Sequence, residues 1–315
     1  AQVMAADRPT FSLTPLDDQE FTRKLFTPLP LEGVIYLAKT TWPISKVFRL
    51  YLENLNWVPN AQTASGPTPR QAPPVSEFLR GVQALQALQD RGAVVFGVAE
   101  REDTLGGDLP AAAIAARDVI EAAKNGFEYR PDDKGRSWRL IRRSSYPVMR
   151  LDPDELNSAE MRTFEEVFHL RPGATELEIT QEALTPFRSA FPRGGVTSVD
   201  LETRSLLQTL YYVSHGVDVP DEHRRRGLVT ITRDSAGQPF DWHVVMRDLF
   251  HVHSTEGGER PPRAHVAVNY KGYWYYVDES DQDSKSTFSL LVELSRLELA
   301  GKTGPGPQLT LPIGR

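Results

Sequence analysis

The stretch RAHVAVNYKGYWYYVDES, residues 263–280, constrains the fold more tightly than any other part of the chain. Runs of β-branched and aromatic residues flank Lys271-Gly272, and that pattern around a short glycine-containing turn predicts a β-hairpin. The hairpin puts His265 on one strand and Asp278 on the other. A His and an Asp on adjacent strands suit the base and orienting group of a nucleophilic enzyme. The chain contains no cysteine, however, so cysteine-dependent versions of that chemistry are excluded.

With 315 residues, 40% of them hydrophobic, the chain can fill one large core or two medium ones. The expected division is a mixed α/β region over residues 1–150 with a proline-rich loop at 59–75, a C-terminal α+β domain over 151–300, and an extended tail at 301–315. A formal net charge of -6 argues against a nucleic-acid surface as the main role. The lack of cysteine removes disulfides, thiolate zinc sites and iron–sulfur clusters. The sequence opens AQVMAADRPT without an initiator Met, which suits removal of a signal peptide as well as trimming, and export is the expectation. No apolar run approaches the roughly 20 residues that span a bilayer, so no transmembrane segment is expected.

Along the chain, GVIYLAKT reads as a strand that gives way to a short helix beyond Pro43. The 59–75 stretch reads as a linker or exposed loop. Ser76 is the expected N-cap of a helix with Phe78, Val82, Leu85 and Leu88 on one face, ended by Gly92 and followed by a strand, AVVFGV. A small-residue helix is expected over 110–124. A hairpin turned at DDKG follows, then a strand at YPVMRL and a helix starting at Ser158. Farther on, ELEIT reads as a strand, 205–216 as a core helix with Pro220 beyond it, GLVTIT as a strand ending at the DSAGQ turn, and STFSLLVELSRLELA as a closing amphipathic helix. The fold class is α+β, with helices mixed among antiparallel strands.

The segment YKGYWYYVDESDQDSKSTF, residues 270–288, resembles the C-terminal segment of a family of bacterial proteins with the pattern YRGxWFYIDxxDxxSKxTF. LEGVIYLAKT and SLLQTLYYVSHGVDVP look like further segments shared with that family, and the likeness implies no activity. The last third also resembles, more weakly, the transglutaminase-like and papain-like folds. There a helix ends before a turn, a His strand follows, and a Trp strand ends in Asp. The resemblance implies Ser205 where the family has its cysteine, with His265 as base and Asp278 as orienting group. A hydroxyl is a much weaker nucleophile than a thiolate, so the implied unit is degenerate and non-catalytic, or else a serine hydrolase or acyltransferase.

Other candidates are weighed on residue type alone. Trp138, Arg139, Arg142 and Arg143 on one arm could hold an anionic polymer such as a polysaccharide, or could form a solvated strand face paired with local acids. Trp274, Asp281 and Lys285 are candidates for ligand recognition, against a reading in which Asp278, Asp281, Ser284 and Lys285 make a structural turn. The DESDQD run lacks the glycine and final glutamate of a calcium loop. His251 and His253 form an H-x-H pair that could ligate zinc with His243 or His265, but with no specified third ligand the expectation is solvent-facing or core histidines. No cofactor and no metal are assigned. The expected role is a non-catalytic structural subunit, periplasmic or envelope-associated, that binds a protein partner in a larger assembly.

Overall fold

The computed structural model describes residues 19–40, 42–181 and 194–299. Contacts cluster into two units that interleave along the sequence, one from residues 31–60 and 75–202, the other from 1–30, 61–74 and 203–315. After α1 (Gln19–Phe26), which belongs to the second, the chain enters the sheet-based unit through α2 (Leu31–Lys39) and α3 (Ile44–Tyr51). The strand expected at GVIYLAKT is therefore a helix. Val34 and Ala38, one turn apart, are its buried residues, so the run buries a helical stripe instead of alternating faces.

There follow β1 (Leu52–Leu55), β2 (Val58–Pro59), α4 (Ser76–Asp90), β3 (Val94–Pro110), α5 (Ala116–Lys124), β4 (Phe127–Pro131), β5 (Ser137–Leu151), α6 (Ala159–Val167), β6 (Glu176–Gln181) and β7 (Ser198–Thr203). The strands form one seven-stranded sheet in the order β2-β1-β7-β6-β5-β3, with β4 also paired to β5. β6 and β7 run parallel, while β1–β2, β3–β5, β4–β5 and β5–β6 are antiparallel. The arm SWRLIRR and the run YPVMRL are one continuous strand, paired with β3 from Val94–Leu151 to Pro110–Ser137. Its hairpin with β4 turns at DDKG as expected: Asp132 accepts from the backbone N–H of Arg136, and Gly135 takes φ 63°. The helix expected over 110–124 is split into a short 3-10 turn, Ala111–Ala113, and α5.

The core of this unit lies where α4 meets α6. Phe168 meets Phe78 and Phe164 edge-on, at 6.0 and 5.5 Å between ring centres. Gly81 permits this approach, since a Cβ there would stand 2.4 Å from the Phe168 ring. Ser158 caps α6 by accepting from the Met161 N–H at 3.1 Å. Ser76 is instead the first helical residue of α4, whose cap position is Val75.

The second unit contains α1, then α7 (Leu206–Ser214), α8 (Asp221–Arg225), α9 (His243–Met246), β8 (His253–Glu256), β9 (Ala264–Tyr270), β10 (Tyr273–Asp278) and α10 (Gln282–Leu299). The three strands form an antiparallel sheet in the order β8-β10-β9. The expected hairpin is present. Lys271 and Gly272 take φ of 51° and 83°, the left-handed pair that a two-residue hairpin turn requires. α1, α7 and α10 pack together, and Arg204, fully buried before α7, lies 3.9 Å over the Tyr212 ring while donating to Ser65 Oγ at 2.9 Å.

Two loop expectations change. The 61–74 segment is irregular but not simply exposed, because Ala61, Ala64 and Pro73 are buried and the Ala61 N–H bonds to Pro74 O at 3.1 Å. GLVTIT is no strand: the isolated bridges, to Gln71 and Pro239, fall on Arg233 just past it, and Thr232 donates its hydroxyl to Pro69 O at 2.6 Å. The tail at 301–315 and residues 182–193 lie outside the described residues. The α+β class with antiparallel sheets holds, and among the described residues no helix is long and apolar enough to cross a membrane.

Candidate metal centre

A single backbone bridge builds the site. Val217 and Val252 pair in parallel, with the Asp218 N–H bonded to Val252 O and the Val252 N–H bonded to Gly216 O, each at 2.9 Å. In paired extended segments the residues flanking such a pair project to the face opposite it. Asp218, His251 and His253 thus share a face. Gly216 makes the approach possible, because a Cβ there would lie 2.4 Å from Phe250 O.

His243 arrives by a different route. It opens the one-turn helix α9, its N–H held by Asp241 Oδ1 at 2.9 Å. The chain then reverses through Asp248 at φ 56°, which brings the His243 ring to 4.7 Å from that of His251. Asp218, His243 and His251 each offer one ligand atom, all within 4.8 Å of one another. Ligand atoms on one tetrahedral ion at ~2.0–2.1 Å stand about 3.3 Å apart, so these three would have to draw together by up to about 1.5 Å to share an ion.

Electrostatics favour a charged carboxylate. Burial by itself would raise the Asp218 carboxyl, but the hydrogen bond from His251 Nε2 at 2.9 Å and the nearby imidazoles outweigh it and hold the group below the usual carboxylate value. His251 is raised by the same bond against partial burial. His253 lies 3.7 Å from the other Asp218 oxygen and is lowered by partial burial and by the neighbouring His251. Supporting contacts fix the ligands: the His251 N–H donates to Ser284 Oγ at 2.7 Å, that hydroxyl donates to Asp281 at 2.6 Å, and the His253 ring sits 5.3 Å from Tyr276.

Asp218 and His243 line a cavity of about 610 Å3 whose other walls include Val219, Arg224, Ile231, Phe240 and Trp242. His215 stacks on Trp242 at 4.0 Å with the rings 8° from parallel, and its Nε2–H reaches Ala64 O at 3.3 Å. Burial lowers its pKa against that hydrogen bond.

The other candidates from the sequence sit elsewhere. Ser205 is the buried N-cap of α7, where its hydroxyl accepts from the Gln208 N–H at 3.2 Å and its own N–H donates to Gln208 Oε1 at 2.7 Å. His265 faces Glu279, Nδ1 to Oε2 at 3.2 Å, and Asp278 Oδ1 accepts from the N–H and hydroxyl of Ser280. Among the described residues no hydrogen bond joins Ser205, His265 and Asp278. Asp281 caps the first turn of α10 through the Ser284 N–H, and Lys285 bonds to the Glu279 carboxylate and carbonyl at 2.9 Å each. The Trp274 indole N–H is buried without an acceptor. On β5, Arg139 pairs with Asp108 at 2.6 Å and Arg143 with Glu102 and Glu128, whereas Arg142 has no acidic partner among the described residues.

Comparison of the chain with protein-family models, curated proteins and solved structures gives no match. The transglutaminase-like unit accordingly gains no support. Of the cluster, the sequence pattern pointed to the histidines but not to Asp218 as their companion. The available signal was a pair of x-Val-x triplets, GVD at 216–218 and HVH at 251–253, able to bridge at their valines.

Proposed function

We propose that the chain is a divalent-metal-dependent hydrolase, with Asp218, His243 and His251 as the three protein ligands. The observation that carries this reading is the convergence of two imidazoles and one carboxylate beside a cavity large enough for a small molecule. Two histidines and one carboxylate suit zinc and other borderline divalent ions, and three protein ligands leave coordination positions open for water and substrate. An ion so held supplies a Lewis acid and an activated water. The chain's own residues hold and orient: the 251–253 backbone is tied to Gly216 and Asp218, Ser284 anchors His251, and His253 braces the second Asp218 oxygen.

The test is metal stoichiometry. After chelation and dialysis against Zn2+ or Co2+, one ion per chain is expected, with Co2+ giving visible absorption of a low-coordinate nitrogen–oxygen site. A double variant, His243→Ala with His251→Ala, should weaken binding beyond the ~10–100-fold that follows loss of a supporting hydrogen bond. Uptake that is absent, or unchanged in the double variant, sinks the reading.

A second reading, a structural subunit that docks on a protein partner, is supported by a different observation. Val98, Leu105 and Leu109 on β3 and Val119 and Ile120 on α5 are exposed apolar side chains. Native mass spectrometry of the assembly from its source should then show a stoichiometric complex that Val119→Lys with Ile120→Lys dissociates. A lone monomer removes this reading.

A further inference from the structure

The cavity beside the cluster carries one cationic side chain that the protein itself does not use. Arg224, exposed on α8, lines the cavity with Asp218 and His243 and has no acidic partner among the described residues. The adjacent Arg225 is likewise exposed and without an acidic partner among the described residues but does not line this cavity, while Arg226 pairs with Glu222 at 3.2 Å and Arg233 donates to Gly237 O at 2.8 Å. Apart from this guanidinium, the permanent charges on the wall are Asp218 and Asp241, the latter already accepting the His243 N–H. Asp218 likewise already holds the His251 Nε2–H, so both carboxylates are engaged by local donors and the guanidinium is the charge left for a ligand; a divalent ion on Asp218 would add positive charge to the same wall. Much of the remaining lining is apolar, from Val217, Val219, Val229, Ile231, Phe240 and Trp242.

We propose that Arg224 is the specificity-determining residue of this cavity and takes the acidic group of a small organic carboxylate whose apolar body lies against Phe240 and Trp242. The proposal names the substrate class for the metal reading and rests on it for the chemistry, but the recognition of charge is a property of the cavity and can be measured without an ion. A guanidinium presents a planar fork of donors that matches a carboxylate in two parallel hydrogen bonds, and such a charge-assisted pair discriminates against an uncharged analogue.

Benzoate and its neutral counterpart benzamide are the probes, followed by ligand-observed NMR on the full chain, first metal-free and then loaded with Zn2+. Benzoate should bind about tenfold more tightly than benzamide, the size expected of one charge-assisted contact. Zinc should widen that ratio. Arg224→Gln should bring the two ligands to within about twofold, with Arg224→Lys in between because it keeps the charge and loses the fork. Arg224 is exposed, so the variants should fold, and coincident thermal melts verify this. Equal binding of the two probes, binding of neither, or an undiminished preference in Arg224→Gln overturns the proposal. If the chain takes up no zinc, the hydrolase reading fails alone, and the benzoate-to-benzamide ratio on the metal-free chain still decides the role of Arg224.

Discussion

Asn56 and His251 show two ways of placing polar groups inside this molecule. Asn56, 1% exposed and at φ 46°, closes on backbone: its amide donates to Phe168 O at 2.7 Å and Ser198 O at 3.1 Å, and its carbonyl accepts from the Asp200 N–H at 2.7 Å. Every polar atom there serves to hold α6, β7 and the β1–β2 turn in place. His251 is tied to the fold by its own N–H, but its ring closes on the side chains Asp218, His243 and His253, beside a cavity. One arrangement is finished when the chain folds. The other leaves nitrogen and oxygen lone pairs that an added ion can use, so local stability and chemical capacity are assigned to different regions.

The largest effect that would break this contrast is a loss of stability. Asn56→Ala strands two carbonyls and an N–H in the interior and should cost ~3 kcal/mol or more in urea unfolding, against about 1 kcal/mol or less for His251→Ala. Equal costs would mean that the histidine cluster is as structural as the asparagine. Next comes Gly216→Ala. Its Cβ meets a backbone oxygen that cannot rotate away, so about 1–3 kcal/mol of destabilisation is expected together with weaker zinc uptake; full zinc affinity would show that the 217–252 bridge does not set the ligand geometry.

A smaller effect sharpens the comparison through pH. His215 has its pKa lowered by burial, so the unfolded chain takes a proton before the native one does. Its contribution to stability is complete above its ordinary value of 6.5 and falls as pH drops below it. Subtracting the profile of His215→Phe from that of the wild type should leave a difference that falls in acid; a rising difference would place the charged imidazole in the native stack on Trp242. Smallest of all, Asp108→Asn on the exposed partner of Arg139 should leave the melting midpoint unchanged, since ion pairs in water add little.

What could be read from the sequence follows how local each signal is. The Lys271-Gly272 and DDKG hairpins, the Ser158 cap and the 205–216 helix are specified by neighbours a few residues apart, and all four are present. GVIYLAKT has an apolar composition that suits either element, and only its packing against α3 decides for helix. GLVTIT has strand-forming residues but no partner strand that accepts it over its length. The cluster was half legible. An H-x-H pair is visible, but the carboxylate that completes it comes from a segment whose register depends on a single bridge and on the missing side chain of Gly216. Ser205 is the converse case, where the residue type suggested a nucleophile and the local capping geometry had already engaged its oxygen.

The bridge also bears on the order of events when the chain folds. All the members of the cluster come from the stretch between residues 218 and 253, whereas the large sheet must bring residues 52–55 beside 198–203. Closing the short loop costs less entropy than closing the long one. The cluster can therefore assemble while the big sheet is still open, and an ion present from the start of refolding would act on the early, fast phase and leave the slow closure of the sheet untouched.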